Sequence, residues 1–422
     1  MAQLKDDCFA FGGQLTPVAE ALDDLGSRLS CVCEVEVVSI HEALGRIIAE
    51  DITSPRDVPP HNNSAVDGYA VYFDDLDPEH DTLLPVTGRI AAGHPLGRPS
   101  RKGEALRIFT GAPVPDGEDG GPDTIFMEED CVEADGVVTL PPGLKQGSNK
   151  RDQGEDVKTG ASIIPVGSRL RPQEVGLAAS VGRATVQIYK RLRVGVFSTG
   201  DEVRDPSGDA PEGCIFDANR FAIMGLLRDL GCEVTDIGIL PDDEAVIAGA
   251  LADAAPGHDM LITSGGISAG EEDYVKAAVE QQGSLNFWRF AIKPGRPIAL
   301  GQVGATSFVG LPGNPVAAMV TFMVIGRPMI NVLSGNRDVL PHLYRVTSGF
   351  DYAKKLGRRE WVRVRLETAK DGTLTARKHP AGGSGILTSM VDADGLVELG
   401  EDIETINAGD SVDFLGFNEV MR

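Results

Sequence analysis

The residues best equipped for chemistry lie in Ser264-Gly265-Gly266-Ile267-Ser268-Ala269-Gly270-Glu271-Glu272-Asp273-Tyr274. An apolar run, Met260 to Thr263, precedes them, and a helical pattern to about Gln282 follows, with Gly283 as its C-terminal stop. Strand, glycine turn and helix start in that order aim backbone N–H groups and a helix N-terminus at an anion, because glycine lets the main chain approach a phosphate closely. Asp273 falls on the first turn of the helix, where its carboxylate can hold a metal ion beside that anion.

Three more clusters follow apolar runs in the same region. Phe197-Ser198-Thr199-Gly200-Asp201-Glu202 repeats the design of strand, hydroxyl, glycine and acid; two adjacent acids after a buried strand suit a cleft better than a plain turn. Pro241-Asp242-Asp243-Glu244 stands between a strand and a helix, where helix capping explains the acids as readily as a role in the same crevice does. Lys293-Pro294-Gly295-Arg296-Pro297 precedes Gly310-Leu311-Pro312-Gly313-Asn314-Pro315. In the second of these, Asn314 as N-cap and Pro315 at the first helical position start an apolar helix over 316–325. Lys293 and Arg296 would supply local positive charge. Earlier in the chain, His61 to Ala70 and Arg107 to Pro113 are compact polar motifs of the same kind.

The elements that must position these residues change character along the chain. A helix is predicted from Pro17 to about Leu29, capped by Thr16, and Ser39 with Glu42 forms a capping-box pattern. The proline-rich stretch 55–60 is a rigid connector. Residues 66–140 alternate short β-runs with Gly and Pro, which predicts a small inserted β-domain, sandwich or barrel. From about 185 to 335, strand and helix patterns alternate: strands at 192–197, 233–240 and 260–263, and helices after Asp217 and over Asp243 to Ala254. This predicts a parallel sheet covered on both faces, with ligands at the carboxyl ends of its strands. After Pro341 short β-runs return. The expected organisation is an α/β multidomain protein. Residues 1–30 and 185–337 form the α/β domain, 31–60 and 145–184 an elongated connecting region, 61–144 the inserted β-domain and 338–422 a C-terminal β-domain.

Composition narrows the function. Sixty-three acids against thirty-nine bases give 422 residues a net charge of −24, which repels a nucleic-acid backbone and forces any anion site to be built locally. Of six cysteines only Cys31 and Cys33 are close, and a lone C-x-C is weak evidence for metal beside the reading as free thiols in a reducing cytosol. The N-terminus, Met1 to Asp7, is polar. The longest apolar stretch, Val316 to Ile325, is expected to end at Gly326-Arg327-Pro328, short of a membrane span. A cytoplasmic protein without membrane or nucleic-acid partners is expected.

Seven motifs in order, NSAVDGYA (63–70), TGAPVP (110–115), GED (154–156), STGDE (198–202), SGGISAGEEDY (264–274), KPGRP (293–297) and GLPGNP (310–315), resemble the molybdopterin molybdenumtransferase family, which includes the E-domain of gephyrin. The resemblance spans essentially the whole chain. It implies a four-part elongated subunit forming a homodimer: a central α/β molybdopterin-binding domain, an inserted small β-domain, an extended linker and a C-terminal β-barrel-like domain. It also implies insertion of molybdate into adenylylated molybdopterin with release of AMP, dependent on Mg²⁺. By resemblance Asp67, Thr110, Glu202, Asp242 and Asp273 are catalytic, and Glu202, Asp242 and Asp273 hold the metal. Ser264, Gly265, Gly266, Ser268, Arg289, Lys293, Pro312, Pro315 and Ser384 line the substrate, with Ser384 supplied by the other subunit. The family also brings molybdopterin adenylyltransferase and molybdoenzyme acceptors into view as partners. A tungstate-inserting paralogue, a molybdopterin adenylyltransferase and a non-catalytic gephyrin-like scaffold are the alternatives. Val66 stands where many members have Met, and the acidic insert 116–123 lengthens a loop.

Overall fold

The computed structural model describes residues 15–266, 274–295 and 297–421, without the side chains of 286–289. The first helix spans Val18–Arg28 and buries Val18, Ala21 and Leu25. Thr16 does not cap it; its backbone instead bridges Phe290, so tertiary pairing overrides the local capping preference. The connector is built from paired segments distant in sequence: Val35–Ser39 lies antiparallel to Thr185–Tyr189, and Ile52–Thr53 to Ser162–Ile164. Ser39 accepts a hydrogen bond from the His41 amide, at 3.3 Å, and starts a single 3₁₀ turn.

The inserted domain is one six-stranded sheet in the order 124–127, 68–71, 105–108, 82–90, 137–140, 132–134. A register shift between Val86 and Gly88 bends it. Apolar clusters cover both faces, around Tyr69 and Phe126 on one and Ile90 and Ile108 on the other. Alternation along the strands produces that division.

The α/β domain holds strands β1 (Arg193–Thr199), β2 (Glu233–Leu240), β3 (Met260–Ser264), β4 (Gly283–Arg289), β5 (Ile292–Lys293), β6 (Pro297–Val303) and β7 (Thr306–Leu311). Its main sheet runs β2-β1-β3-β7-β6-β4. The first four strands are parallel, whereas β6 and β4 add antiparallel. The expected parallel sheet is thus present in four strands and extended by an antiparallel pair: β6 and β7 join through a hairpin, and Gly283 opens β4 rather than ending a helix. A hairpin needs only a few residues, so no crossover helix separates these strands. Helix α1 (Asn219–Asp229) starts where Asp217 accepts from the Arg220 amide at 3.1 Å, and α2 (Glu244–Ala254) where Asp243 accepts from the Val246 amide at 2.9 Å. Helix α3 covers Tyr274–Glu280.

The apolar helix α4 (Pro315–Leu333) does not stop at Gly326-Arg327-Pro328. A π-turn over Phe322–Gly326, closed by the Arg327 amide on the Phe322 carbonyl, carries it through. The widened turn meets the lack of an amide at Pro328 without breaking the helix. At 19 residues α4 is long and apolar enough to cross a membrane, yet 83% of its apolar window is buried inside the protein, which makes it a central core helix.

The C-terminal domain contains β8 (Tyr344–Ser348), β9 (Arg359–Thr368), β10 (Leu374–Lys378), β11 (Gly395–Leu399) and β12 (Ser411–Gly416). Each pairs with two others, β9 with both β10 and β11, so the five close into a barrel around Val364, Val397 and Phe414. Closure leaves no free edge in that circuit. Strand β5 of the α/β domain pairs parallel with β9, Lys293 opposite Glu360. Trp361, Leu396 and Leu415 of the barrel belong to the same apolar cluster as Val194, Ile262 and Phe322 of the α/β domain. The seam between the two domains is therefore continuous core.

Candidate active site

A cleft of about 610 Å³ opens along that seam. Glu202, Gly265, Gly266, Lys293, Pro312 and Asn314 of the α/β domain form one wall, and Tyr352, Glu360, Arg363, Lys378, His379 and Ser384 of the barrel form the other. The first wall lies at the carboxyl ends of parallel strands, where α/β folds bind ligands.

Local bonds fix the glycine turn against the 310–315 segment. Ser264 Oγ donates to the Pro312 carbonyl at 3.0 Å and the Gly265 amide to Leu311 at 3.2 Å. Asn219 Nδ2 donates to Ser264 Oγ at 2.8 Å and to the Gly313 carbonyl at 2.7 Å. The Gly265 amide is thus engaged internally, and Gly266, which also lines the cleft, ends the described part of the turn. There φ is +64°, and a Cβ would overlap Thr199 and Val275, so glycine is required on both counts. Pro315 holds the first helical position of α4; Asn314 occupies the N-cap without a side-chain capping bond.

The acidic loops also meet. The Asp201 amide donates to Asp242 Oδ2 at 3.1 Å, and the Asp242 amide donates to Asp201 Oδ1 at 3.3 Å, which locks the turn carrying Glu202 to the turn after β2. Among the described residues no three His, Cys, Asp or Glu side chains are grouped to hold a metal. Ser268, Asp273 and Arg296, and the side chain of Arg289, lie outside the described residues.

Lys293 meets a buried carboxylate. Its Nζ lies 3.0 Å from Glu360 Oε2, which also accepts from Tyr352 Oη at 2.8 Å, while Glu360 Oε1 accepts from Arg358 Nε at 2.7 Å. Burial alone would raise the pKa of Glu360, which is 1% exposed; the donors from Lys293, Tyr352 and Arg358 outweigh it and hold the carboxyl below its usual range. Magnitudes agree with that direction: desolvating a carboxylate costs several kcal/mol, and bonds to a charged acceptor return about 1.5–3 kcal/mol each. Burial depresses the ammonium of Lys293, but Glu360 and Tyr352 raise it further. Lys293 thus serves as a fixed positive charge.

Asp67 and Thr110 come together elsewhere. The amide and the hydroxyl of Thr110 both donate to Asp67 Oδ1 at 2.7 Å, on the surface of the inserted domain, and these bonds hold the Asp67 carboxyl below its usual range. Neither residue lines the cleft. Ser384 does, and from the same chain: its carbonyl accepts from the Val316 amide at 3.0 Å, so the barrel turn sits on the start of α4. Strand β5 and the shared core dock this chain's own barrel there, so Ser384 reaches the cleft without a second subunit.

Asn219, Tyr352, Glu360, Arg363 and Lys378 escaped the sequence reading. Asn219 could have been found, because a polar residue opening a helix after Asp217 faces the strand ends. The barrel residues carry no local signal.

The architecture and the cleft together define a multidomain protein with an α/β ligand-binding domain sealed against a small barrel. Residues 16–182 match the MoeA N-terminal region (domain I and II), 195–332 a probable molybdopterin binding domain and 345–417 the MoeA C-terminal region (domain IV). The chain is 38% identical over 404 residues to the molybdopterin molybdenumtransferase of Haemophilus influenzae, covering 95% of this chain and 98% of that one. It is 33% identical over 396 residues to molybdopterin molybdenumtransferase 2 of Mycobacterium tuberculosis, covering 89% and 94%. The crystal structure of the molybdopterin biosynthesis moeA protein from Pyrococcus horikoshii superposes with a TM-score of 0.81 at 28% identity, over 95% of this chain and 99% of that one. The chain belongs to the MoeA family. Membership places it among the transferases of molybdenum cofactor biosynthesis.

Proposed function

We propose that the protein inserts molybdate into adenylylated molybdopterin and releases AMP. One observation carries the reading: Gly265 and Gly266 of the glycine turn, Glu202, Lys293 and Ser384 open into a single cleft. Gly265 and Gly266 line the cleft where the pyrophosphate would sit. Lys293, permanently charged, offsets the anion's charge in a chain of net charge −24. An oxygen of water or molybdate attacks phosphorus, the P–O bond of the pyrophosphate breaks and AMP departs. The two dithiolene sulfurs then bond to molybdenum, and their two protons leave with one oxo group as water, so molybdenum stays Mo(VI).

The donor set suits a hard dication. Glu202 and Asp242 stand on turns bonded to each other, and Mg²⁺ takes one or two carboxylates together with substrate phosphate oxygens. When bound by Glu202 and Asp242, with Asp273 as a further donor, Mg²⁺ would neutralise the pyrophosphate. We further take the working form to be a homodimer in which a second copy brings Asp67 and Thr110 to the cleft. The support is that this pair, pre-organised by its own hydrogen bonds, lies outside the cleft of its own chain.

The test is AMP release from adenylylated molybdopterin by the purified chain with and without molybdate and Mg²⁺. Release should need both, and Asp273→Ala should abolish it with an unaltered circular dichroism spectrum. Wild-type turnover by that variant would remove the metal assignment, and no release by the wild type would remove the reaction.

A further inference from the structure

Four basic side chains of the cleft have different commitments. Lys293 is paired with Glu360. The guanidinium of Arg363 donates to the carbonyls of Gly383 and Ala381 and to Ser389 Oγ, so it shapes the turn that carries Ser384. His379 faces Asp392 at 3.5 Å and accepts the Ala381 amide on Nδ1 at 3.1 Å. Lys378 differs. Among the described residues its ammonium meets no carboxylate and no hydrogen-bond acceptor; it sits 5.3 Å from the centroid of the Tyr352 ring, and Lys293 Nζ lies 5.9 Å from the same centroid.

The barrel produces this placement. Along β10, Ala376 is buried in the barrel core, Arg377 turns outward to Glu367 at 2.8 Å, and Lys378 returns to the face of Ala376 at the strand end, where the core gives way to the cleft. Tyr352 is itself fixed by its bond to Glu360, so the ring that Lys378 lies against cannot drift.

We propose that Lys378 captures the incoming tetrahedral oxyanion at the barrel wall of the cleft. The inference rests on the reading of the reaction given above and names the residue that recruits its second anion. A dianion entering an acidic protein needs a cation that neither a carboxylate nor other hydrogen-bond acceptors already engage. Of the basic side chains described in the cleft, Lys378 meets that requirement. Its exposure lets it engage the anion from solvent, and Ser384 and Lys293 lie in the same cleft to complete the contact.

The experiment titrates molybdate alone into the full-length protein by calorimetry, with Lys378→Ala and Lys378→Arg alongside, and measures the molybdate dependence of AMP release. Lys378 is exposed, so both variants should keep the wild-type unfolding profile. The expected result is about tenfold or greater weakening of molybdate binding in Lys378→Ala, the range of a charge-assisted contact. KM for molybdate should rise in proportion, kcat at saturation should hold, and Lys378→Arg should recover most of the affinity. Wild-type affinity and KM in Lys378→Ala would overturn the proposal, as would a wild-type chain that takes up no molybdate. An absence of AMP release by the wild type would overturn the reading of the reaction, while the titration would still decide the role of Lys378.

Discussion

Lys293 and Glu360 lie 3.0 Å apart across the seam between the α/β domain and the barrel, and their backbones are paired partners in adjacent parallel strands. A main-chain ladder and a charged contact thus fix the same residue twice. Without the barrel, Lys293 would be a loop lysine with no defined position.

Glu360→Gln tests that coupling. It leaves Arg358 and Lys293 without their counter-charge, and about 2–4 kcal/mol of stability should be lost near pH 7, with the Lys293 arm contributing little because that side chain is half exposed. The folded pKa of Glu360 is depressed, so its contribution is fully present above the unfolded value of 4.5 and is lost as pH falls through the lower folded value. Urea titrations of wild type and variant should therefore draw together as pH falls below 4.5. A constant difference across pH would contradict the assignment.

Arg220 supports the acidic side of the cleft. Its side chain is 3% exposed and bonds to Asp217 at 2.9 Å, to Asp205 at 2.6 Å and to Asp236, joining α1, the loop after β1 and strand β2. Arg220→Ala strands the buried Asp217, and the unfolding transition of the α/β domain should lose about 3–5 kcal/mol. Double replacement with Asp217→Asn should recover part of that loss in the same denaturant titration.

Gly266→Ala places a Cβ at φ +64° against Thr199 and Val275. A cost of about 1–3 kcal/mol is expected, met by a shift of the turn rather than by unfolding. AMP release should fall far more than thermal stability, as paired activity and melting measurements would reveal.

The dimer reading predicts complementation. Asp67→Ala and Glu202→Gln should each be inactive alone, yet subunits mixed and exchanged should recover up to about a quarter of wild-type activity, because half of the dimers are mixed and each mixed dimer keeps one of its two sites intact. No recovery after verified exchange would place both residues in one chain's site.

The sequence alone determined the features that local chemistry controls. Glycine turns, Asp217 and Asp243 at helix starts, Pro315 opening a helix and the strand at Glu233–Leu240 each depend on a few neighbouring residues, so their patterns could be read directly. The hairpin that makes the sheet mixed, the passage of α4 through Pro328, and the docking of this chain's own barrel with Ser384 were settled only by tertiary structure. Glu360 and Lys293 are 67 positions apart in the chain, and Lys378 acquires its place from a strand end on a closed barrel. No spacing rule encodes such contacts, because they arise from burying shared apolar surface, and that surface chooses its partners in three dimensions.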